Sequence, residues 1–173
     1  MHNPDELPIV VRSLKITDLP SFVRLRADIE EHSPYMPAGD GERRERMVYT
    51  VLKMLLRRES TVTLVVEKGG MLVGYITLIF GRFRKFRGNA YIASVSVSER
   101  YRGKGVGTRL LAKAEEYARK RGARRLELEV FSKNKGAYEL YERLGWEVEG
   151  RKRKAVENID GFDDLVFMAK FLS

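Results

Sequence analysis

The chain has 173 residues, of which 43% are hydrophobic, and a formal net charge of +9 at pH 7. This length is sufficient to bury a core without covalent staples and predicts one domain over residues 1–173. Because cysteine is absent, the sequence excludes disulfides, thiolate metal sites and a cysteine nucleophile. The N-terminus has no apolar leader, and the longest apolar run, Met71–Phe80, is too short to cross a bilayer. We expect a cytoplasmic protein with no membrane partner.

The positive charge invites a nucleic-acid interpretation, but its distribution along the sequence does not favour one. Basic residues are spread over the whole chain, and no aromatic and basic RNA-binding signature accompanies them. Attraction for coenzyme phosphates or for an acidic protein surface explains the charge equally well. The two histidines, His2 and His32, are too few for a metal site, so no metal is expected.

The N-terminal half begins with a predicted strand, Ile9–Leu14. A helix follows, with Asp18 as its N-cap and Pro20 at an early position, and it ends near His32. Residues 33–41 contain prolines and glycines and predict a loop. The apolar spacing over 42–58 then predicts a second helix.

Three strands are predicted next, at residues 61–67, 72–80 and 90–97, and they form an antiparallel meander. A hairpin turn at Lys68–Gly70 joins the first two, and a basic loop over 82–88 leads to the third.

The C-terminal half alternates helices and strands. The apolar pattern predicts helices over 106–121 and 134–144, and strands over 126–131, 146–149 and 165–171. The fold class is therefore α/β of the α+β type, with a mixed, mostly antiparallel sheet of about six or seven strands and about four helices.

A glycine-rich basic turn connects the strand that ends at Val97 to the helix that begins at Val106. Its glycines fall at positions 103, 105 and 107, which fits neither the Walker loop nor the dinucleotide-binding fingerprint. The first N–H groups of a helix have no intrahelical partner and carry the positive end of the helix dipole. The turn therefore predicts an anion site, and a diphosphate is the natural ligand.

Two motifs carry a resemblance to a known family. The pattern [RQ]-x-x-G-x-[GA] is present as Arg102, Gly105 and Gly107, and N-x-x-A-x-x-L-Y-x-x-x-G-[FW] is matched from Asn134 to Trp146. The chain thereby resembles the GCN5-related N-acetyltransferases (GNAT superfamily), including those that modify ribosomal proteins, other N-termini or small amines. The specific resemblance covers roughly residues 91–146, and beyond it only the order of strands and helices agrees.

The resemblance implies acetyl-CoA as the acetyl donor. Backbone groups of Val95, Ser96 and Val97 would pair with the pantetheine arm, and Asn134 would bind that arm near its thioester end. The N–H groups that would hold the diphosphate belong to Arg102, Gly103, Lys104, Gly105, Val106, Gly107 and Thr108.

The resemblance also implies transfer to a primary amine by direct attack in a ternary complex. A lysine-type amine is protonated at neutral pH, and exposing its lone pair costs roughly 4 to 5 kcal/mol, so a base or a water relay is needed. Glu129 is the first candidate for that base and Glu127 the second; a surface ion pair is the alternative role for Glu129. Tyr141 matches the family's general acid, although its apolar stripe is equally typical of core packing.

The acceptor is left open between a protein N-terminus, a lysine, and a small amine such as a polyamine or an amino acid. In the family, the region that here carries Asp28, Glu30 and Glu31 closes over the acceptor. The acidic set Asp160, Asp163 and Asp164 is a candidate for binding a cationic amine, but a solvated turn is the expected structure there. A non-catalytic acyl-CoA-binding module is the alternative function. The sequence does not determine the oligomeric state, and a homodimer is one possibility.

Overall fold

The computed structural model describes residues 8–35, 60–81, 88–158 and 161–172. The predicted helix over 42–58 lies outside these residues, as does most of the basic loop over 82–88. The strands are β1 Ile9–Ser13, β2 Thr61–Lys68, β3 Met71–Phe80, β4 Asn89–Val97, β5 Arg125–Phe131, β6 Glu147–Asn158 and β7 Gly161–Phe171. The α-helices are α1 Leu19–His32, α2 Val106–Lys120 and α3 Lys135–Arg143.

The seven described strands form one mixed sheet with the order β1-β2-β3-β4-β5-β7-β6. Strands β4 and β5 are parallel, and the connection between them contains α2, the helical crossover that a parallel pair needs. The pairs β1–β2, β2–β3, β5–β7 and β6–β7 are antiparallel. The predicted α+β class with a mixed, mostly antiparallel sheet is confirmed.

The chain divides into two compact units, and β4 and α2 contribute residues to both. The first unit comprises residues 1–79 and 94–114, and the second comprises 80–93 and 115–173. The core of the first unit contains Phe22 and Ile29 from α1, Val65 from β2 and Tyr75 from β3. The rings of Phe22 and Tyr75 meet edge to face at 5.0 Å, a favourable aromatic geometry.

Helix α1 begins one residue after Asp18, as predicted, but the Asp18 carboxylate makes no capping bond to this helix. It accepts hydrogen bonds from the Lys15 backbone N–H at 2.8 Å and from the Arg12 guanidinium at 2.6 and 2.9 Å. The hydrogen bond from Arg12 lowers the pKa of Asp18. This carboxylate therefore ties the start of α1 to β1.

In the second unit, β5 alternates as its sequence predicts. Leu126, Leu128 and Val130 are buried, whereas Glu127 and Glu129 lie on the opposite face. The two following strands differ from the prediction, since β6 extends to Asn158 and β7 already begins at Gly161. Most residues of β6 are exposed, so its sequence lacks the apolar alternation by which a strand is recognised.

The expected solvated turn at Asp163 and Asp164 is wrong. Both residues belong to β7, and Asp163 is only 2% exposed. Its burial depends on hydrogen bonds from Ser132 and Lys133, which lie 31 and 30 positions earlier in the chain.

Candidate coenzyme and catalytic site

The glycine-rich turn lies between a short 3-10 helix, Glu99–Tyr101, and the first residue of α2, Val106. Gly103 and Gly105 have φ angles of +71° and +76°, a conformation that side-chain-bearing residues rarely adopt. Apart from the adjacent residues of the turn, no heavy atom of the described residues lies within 4 Å of a Cβ built on either glycine. The turn therefore has a backbone that needs glycine, and no described side chain packs against these two positions.

The start of α2 presents to this turn N–H groups that lack an intrahelical acceptor. The Arg109 N–H donates to the Gly105 carbonyl at 3.1 Å, which is the first intrahelical bond. The N–H groups of Val106, Gly107 and Thr108 precede that bond and have no intrahelical acceptor. Together with the positive end of the helix dipole, they form the kind of site that binds phosphate.

Two cations accompany the turn, as the sequence indicates. The Arg102 Nε donates to the Val97 carbonyl at 3.1 Å, which brings the turn back onto the end of β4. The Lys104 ammonium lies 5.8 Å from the centre of the Tyr101 ring, and the Lys68 ammonium lies at the same distance from it. Such cation–π contacts hold positive charge beside the turn.

The predicted pantetheine-binding segment is the end of β4. Ser96 is buried, and Val95 and Val97 are half-buried. A Cβ on Gly74 of β3 would lie 3.0 Å from the Ser96 carbonyl oxygen and 3.3 Å from the Val97 side chain. Gly74 therefore allows a close backbone approach that the sequence analysis did not identify, although a glycine inside an apolar strand is the usual signal for one.

The two candidate bases have different surroundings in the second unit. Glu127 accepts hydrogen bonds from Arg125 Nε at 2.7 Å and from Asn89 Nδ2 at 3.2 Å. Glu129 is exposed on the same face of β5. Burial, followed by the negative charges of Glu129 and Glu127, raises the pKa of the Tyr91 phenol. Both carboxylates therefore influence one polar face of the sheet.

Asn134 is the N-cap of α3. Its Oδ1 accepts a hydrogen bond from the Ala137 N–H at 3.3 Å, so one side of the amide is occupied by the cap. The side-chain NH₂ group has two donor hydrogens, and these are the atoms that a ligand carbonyl would require.

Tyr141 is buried on α3 and packs against Trp146, with the two ring centres 5.9 Å apart. Burial raises the pKa of its phenol to about 12. The hydroxyl is therefore protonated throughout the neutral range. The side chain belongs to the packed core and also carries a proton, so its packing does not separate the two roles considered from the sequence.

On the proposed acceptor side of the first unit, the acidic residues of α1 have nearby partners. Asp28 Oδ2 accepts a hydrogen bond from Ser98 Oγ at 3.0 Å, and Glu30 pairs with Arg26 at 2.9 Å. A hydrogen bond to the Asp28 backbone carbonyl raises the pKa of His32, the last residue of this helix. Ser98, the residue that precedes the 3-10 helix, is therefore hydrogen-bonded to α1.

The predicted site residues are divided between the two units. The glycine-rich turn and Val95–Val97 belong to the first, whereas Glu127, Glu129, Asn134 and Tyr141 belong to the second.

Within the described ranges, no group of three or more His, Asp or Glu side chains could hold a metal ion. In the same ranges, no helix is long and apolar enough to span a membrane.

Known proteins resemble this chain in sequence and in fold. The profile of the acetyltransferase (GNAT) family matches residues 25–146, and the chain belongs to this family. The predicted resemblance is thereby confirmed. An uncharacterized N-acetyltransferase of Methanocaldococcus jannaschii is 41% identical over 97 residues, which is 55% of this chain and 43% of that protein. The chain therefore matches less than half of that relative's length.

Two solved structures are similar over almost the whole chain. The ribosomal-protein-alanine N-acetyltransferase of Brucella melitensis is 28% identical with a TM-score of 0.81, and the match covers 94% of this chain and 99% of that one. A Salmonella typhimurium protein solved with its cofactor acetyl-CoA is 22% identical with a TM-score of 0.80, covering 95% and 94% of the two chains. The second similarity concerns the fold alone.

Proposed function

We propose that this protein is an N-acetyltransferase that transfers an acetyl group from acetyl-CoA to a primary amine by direct attack in a ternary complex. The observation that carries the proposal is the left-handed turn at Gly103 and Gly105, which leads directly into the first N–H groups of α2, and these have no intrahelical acceptor. A diphosphate fits this chemistry, because it needs several converging donors and close access to the backbone.

The donor is held by backbone groups and by one amide. The N–H groups from Gly103 to Thr108 bind the diphosphate, whereas the Arg102 N–H, which the sequence also assigned to it, donates to the Glu99 carbonyl at 3.1 Å. The backbone of Val95–Val97 pairs with the pantetheine arm. Asn134 donates its NH₂ group to a carbonyl of that arm, since its Oδ1 already caps α3. When bound, acetyl-CoA supplies an acyl thioester, and a backbone N–H near Val95 or Ser96 donates to the thioester carbonyl oxygen.

The base acts on the acceptor ammonium. Deprotonation at pH 7 costs roughly 4 to 5 kcal/mol for a lysine-type amine of pKa near 10.4, and about 1 kcal/mol for a protein N-terminal amine of pKa near 8. Glu129 is the proposed base, acting directly or through a water molecule. The ion pair of Glu127 with Arg125 at 2.7 Å supports this choice, because the Glu127 side chain is already engaged in that contact.

Tyr141 is the proposed proton donor to the departing thiolate. An ordinary thiol has a pKa near 8.5, so a phenol of pKa about 12 would transfer its proton uphill by roughly 5 kcal/mol. Burial raises the pKa of a thiol as it raises that of a phenol, and exclusion of water from both groups reduces the difference. Tyr141 also donates a hydrogen bond to the developing negative charge before the proton moves.

The acceptor is proposed as the N-terminal amine of a protein, with lysine and small amines as alternatives. The 28% identity over 94% of the chain to a ribosomal-protein-alanine N-acetyltransferase supports this order. A screen of thiol release with acetyl-CoA and separate panels of N-terminal peptides, lysine peptides, polyamines and amino acids tests it. Release with at least one primary amine is expected.

Tyr141→Phe provides the mechanistic test. We expect kcat to fall at least tenfold while the affinity for acetyl-CoA, measured by calorimetry, changes less than about twofold. Tyr117→Phe is the matched control, because Tyr117 also packs against an aromatic ring, that of Phe80. Equal losses of binding and turnover would assign Tyr141 to packing, and tight acetyl-CoA binding without release for any amine would favour the non-catalytic module.

A further inference from the structure

Asp163 is a buried carboxylate that the proposed chemistry does not use. Its side chain lies in β7 with 2% exposure, and carboxylates are rarely buried unless they are well hydrogen-bonded. Oδ1 accepts from Ser132 Oγ at 2.7 Å, from the Asp164 N–H at 2.8 Å and from the Lys133 N–H at 3.2 Å. Oδ2 has a longer contact of 3.4 Å with the same Lys133 N–H.

Two of these donors form the turn between β5 and α3. Ser132 and Lys133 directly precede Asn134, and the Ser132 N–H also donates to the Asp164 carbonyl at 2.9 Å. The Asn134 N–H donates back to the Phe131 carbonyl at 3.0 Å, which closes the turn. The first residues of β7 therefore fix the backbone that carries the Asn134 amide into its capping position.

We propose that Asp163 is a positioning residue for the coenzyme: through Oδ1 it holds the Ser132–Lys133 turn, so that Asn134 presents its NH₂ group to the pantetheine arm. This inference rests on the proposed function, in which Asn134 binds that arm. It replaces attraction of a cationic acceptor as the role of Asp163, since a buried carboxylate with several donors is not available to a solvent-borne amine.

The geometry distinguishes these two roles by substitution. The three shorter contacts all converge on Oδ1, and the amide oxygen of asparagine accepts hydrogen bonds in the same place. Asp163→Asn therefore retains the positioning contacts while it removes the charge. Asp163→Ala removes both, and Ser132→Ala removes only the shortest contact.

Asp164 offers a matched control on the neighbouring position of β7. Its carboxylate faces β6, where it accepts from the Lys154 N–H at 2.7 Å and pairs with Arg151 Nε at 3.3 Å. Asp164→Ala therefore removes a partly buried carboxylate and its hydrogen bonds without touching the side-chain contacts to Ser132 and Lys133.

The test compares acetyl-CoA with 3′-phospho-ADP, the nucleotide half of coenzyme A that lacks the pantetheine arm. Calorimetry on the full chain should give about tenfold weaker acetyl-CoA binding for Asp163→Ala, a loss typical of one or two misplaced hydrogen bonds. Binding of 3′-phospho-ADP should be unchanged within about twofold, and Asp163→Asn and Asp164→Ala should bind both ligands like the wild type.

Several outcomes would overturn this inference. One is unchanged acetyl-CoA binding by Asp163→Ala. Another is an equal loss of affinity for acetyl-CoA and for 3′-phospho-ADP, because that result would indicate general damage to the fold. Loss in Asp163→Asn equal to that in Asp163→Ala would assign the effect to charge. Should Asp163→Ala fail to fold, Ser132→Ala carries the test, with about threefold weaker acetyl-CoA binding expected and no change refuting the proposal. If the wild type itself binds no acetyl-CoA, the proposed function fails instead.

Discussion

Substitution of Gly74 by alanine tests whether a close backbone approach shapes the end of β4. The added methyl would lie 3.0 Å from the Ser96 carbonyl oxygen, 3.3 Å from the Val97 side chain and 3.4 Å from the Leu110 side chain. The Leu110 methyl can yield by a small rotation. The Ser96 carbonyl is part of the strand backbone, so it can move only if β4 moves with it.

The magnitude follows from two opposing contributions. Overpacking a buried site by a methylene or so costs typically about 1 to 3 kcal/mol. Replacing glycine by alanine also restricts the unfolded chain, which returns about 0.4 to 1 kcal/mol. The net expectation is destabilisation by about 1 to 2 kcal/mol, and in a protein of this size that lowers Tm by about 2 to 8 °C.

Urea denaturation and thermal unfolding measure this change, with Gly136→Ala as the control. No heavy atom lies within 4 Å of a Cβ built on Gly136 in α3, so alanine there should stabilise the fold by about 0.5 to 1 kcal/mol. Because Ser96 belongs to the proposed pantetheine-binding segment, Gly74→Ala should also weaken acetyl-CoA binding. A Gly74→Ala protein as stable as the wild type would refute the close approach.

Three further predictions address the site. Gly107→Asp should abolish acetyl-CoA binding in calorimetry, because a carboxylate at the start of α2 repels and crowds the diphosphate; unchanged affinity would contradict the phosphate assignment. Glu129→Gln should lower kcat at neutral pH at least tenfold whereas Glu127→Gln should not, as measured by thiol release; the reverse order would make Glu127 the base. The folded-state pKa of Tyr141, about 12, exceeds its ordinary value near 10, so its contribution to stability is complete below pH 10 and is lost as the pH rises towards 12. The wild type should therefore lose about 2 kcal/mol relative to Tyr141→Phe between pH 10 and pH 12 in pH-dependent urea unfolding, and parallel curves would show that the shift is absent.

The features that could be predicted from the sequence are those whose interacting residues lie close together in the chain. The turn at Gly103 and Gly105 and the helix that starts after Asn134 depend on residues within a few positions of one another. Their glycines and capping residue can therefore be identified from the sequence itself. The same locality made the alternation of β5 predictable.

Features that depend on distant partners were not predictable in this way. Asp163 is buried because Ser132, 31 residues earlier, supplies a donor. Gly74 matters because Ser96 approaches it from another strand. The outer part of β6 forms by pairing with β7, and its run of charged residues contains no apolar period from which a strand is recognised.

The exposed, charged strand β6 has a consequence for the solubility of the protein. It is the last strand in the sheet order, so among the described strands it pairs only with β7. An open edge can recruit a strand from another molecule and start aggregation. The run Arg151–Lys154 places four cations there, next to a register shift between Lys152 and Val156 and a left-handed residue, Lys154, with φ of 51°. Like charges and an interrupted ladder both oppose the addition of an identical strand, so the edge can stay long without becoming a template for fibrils.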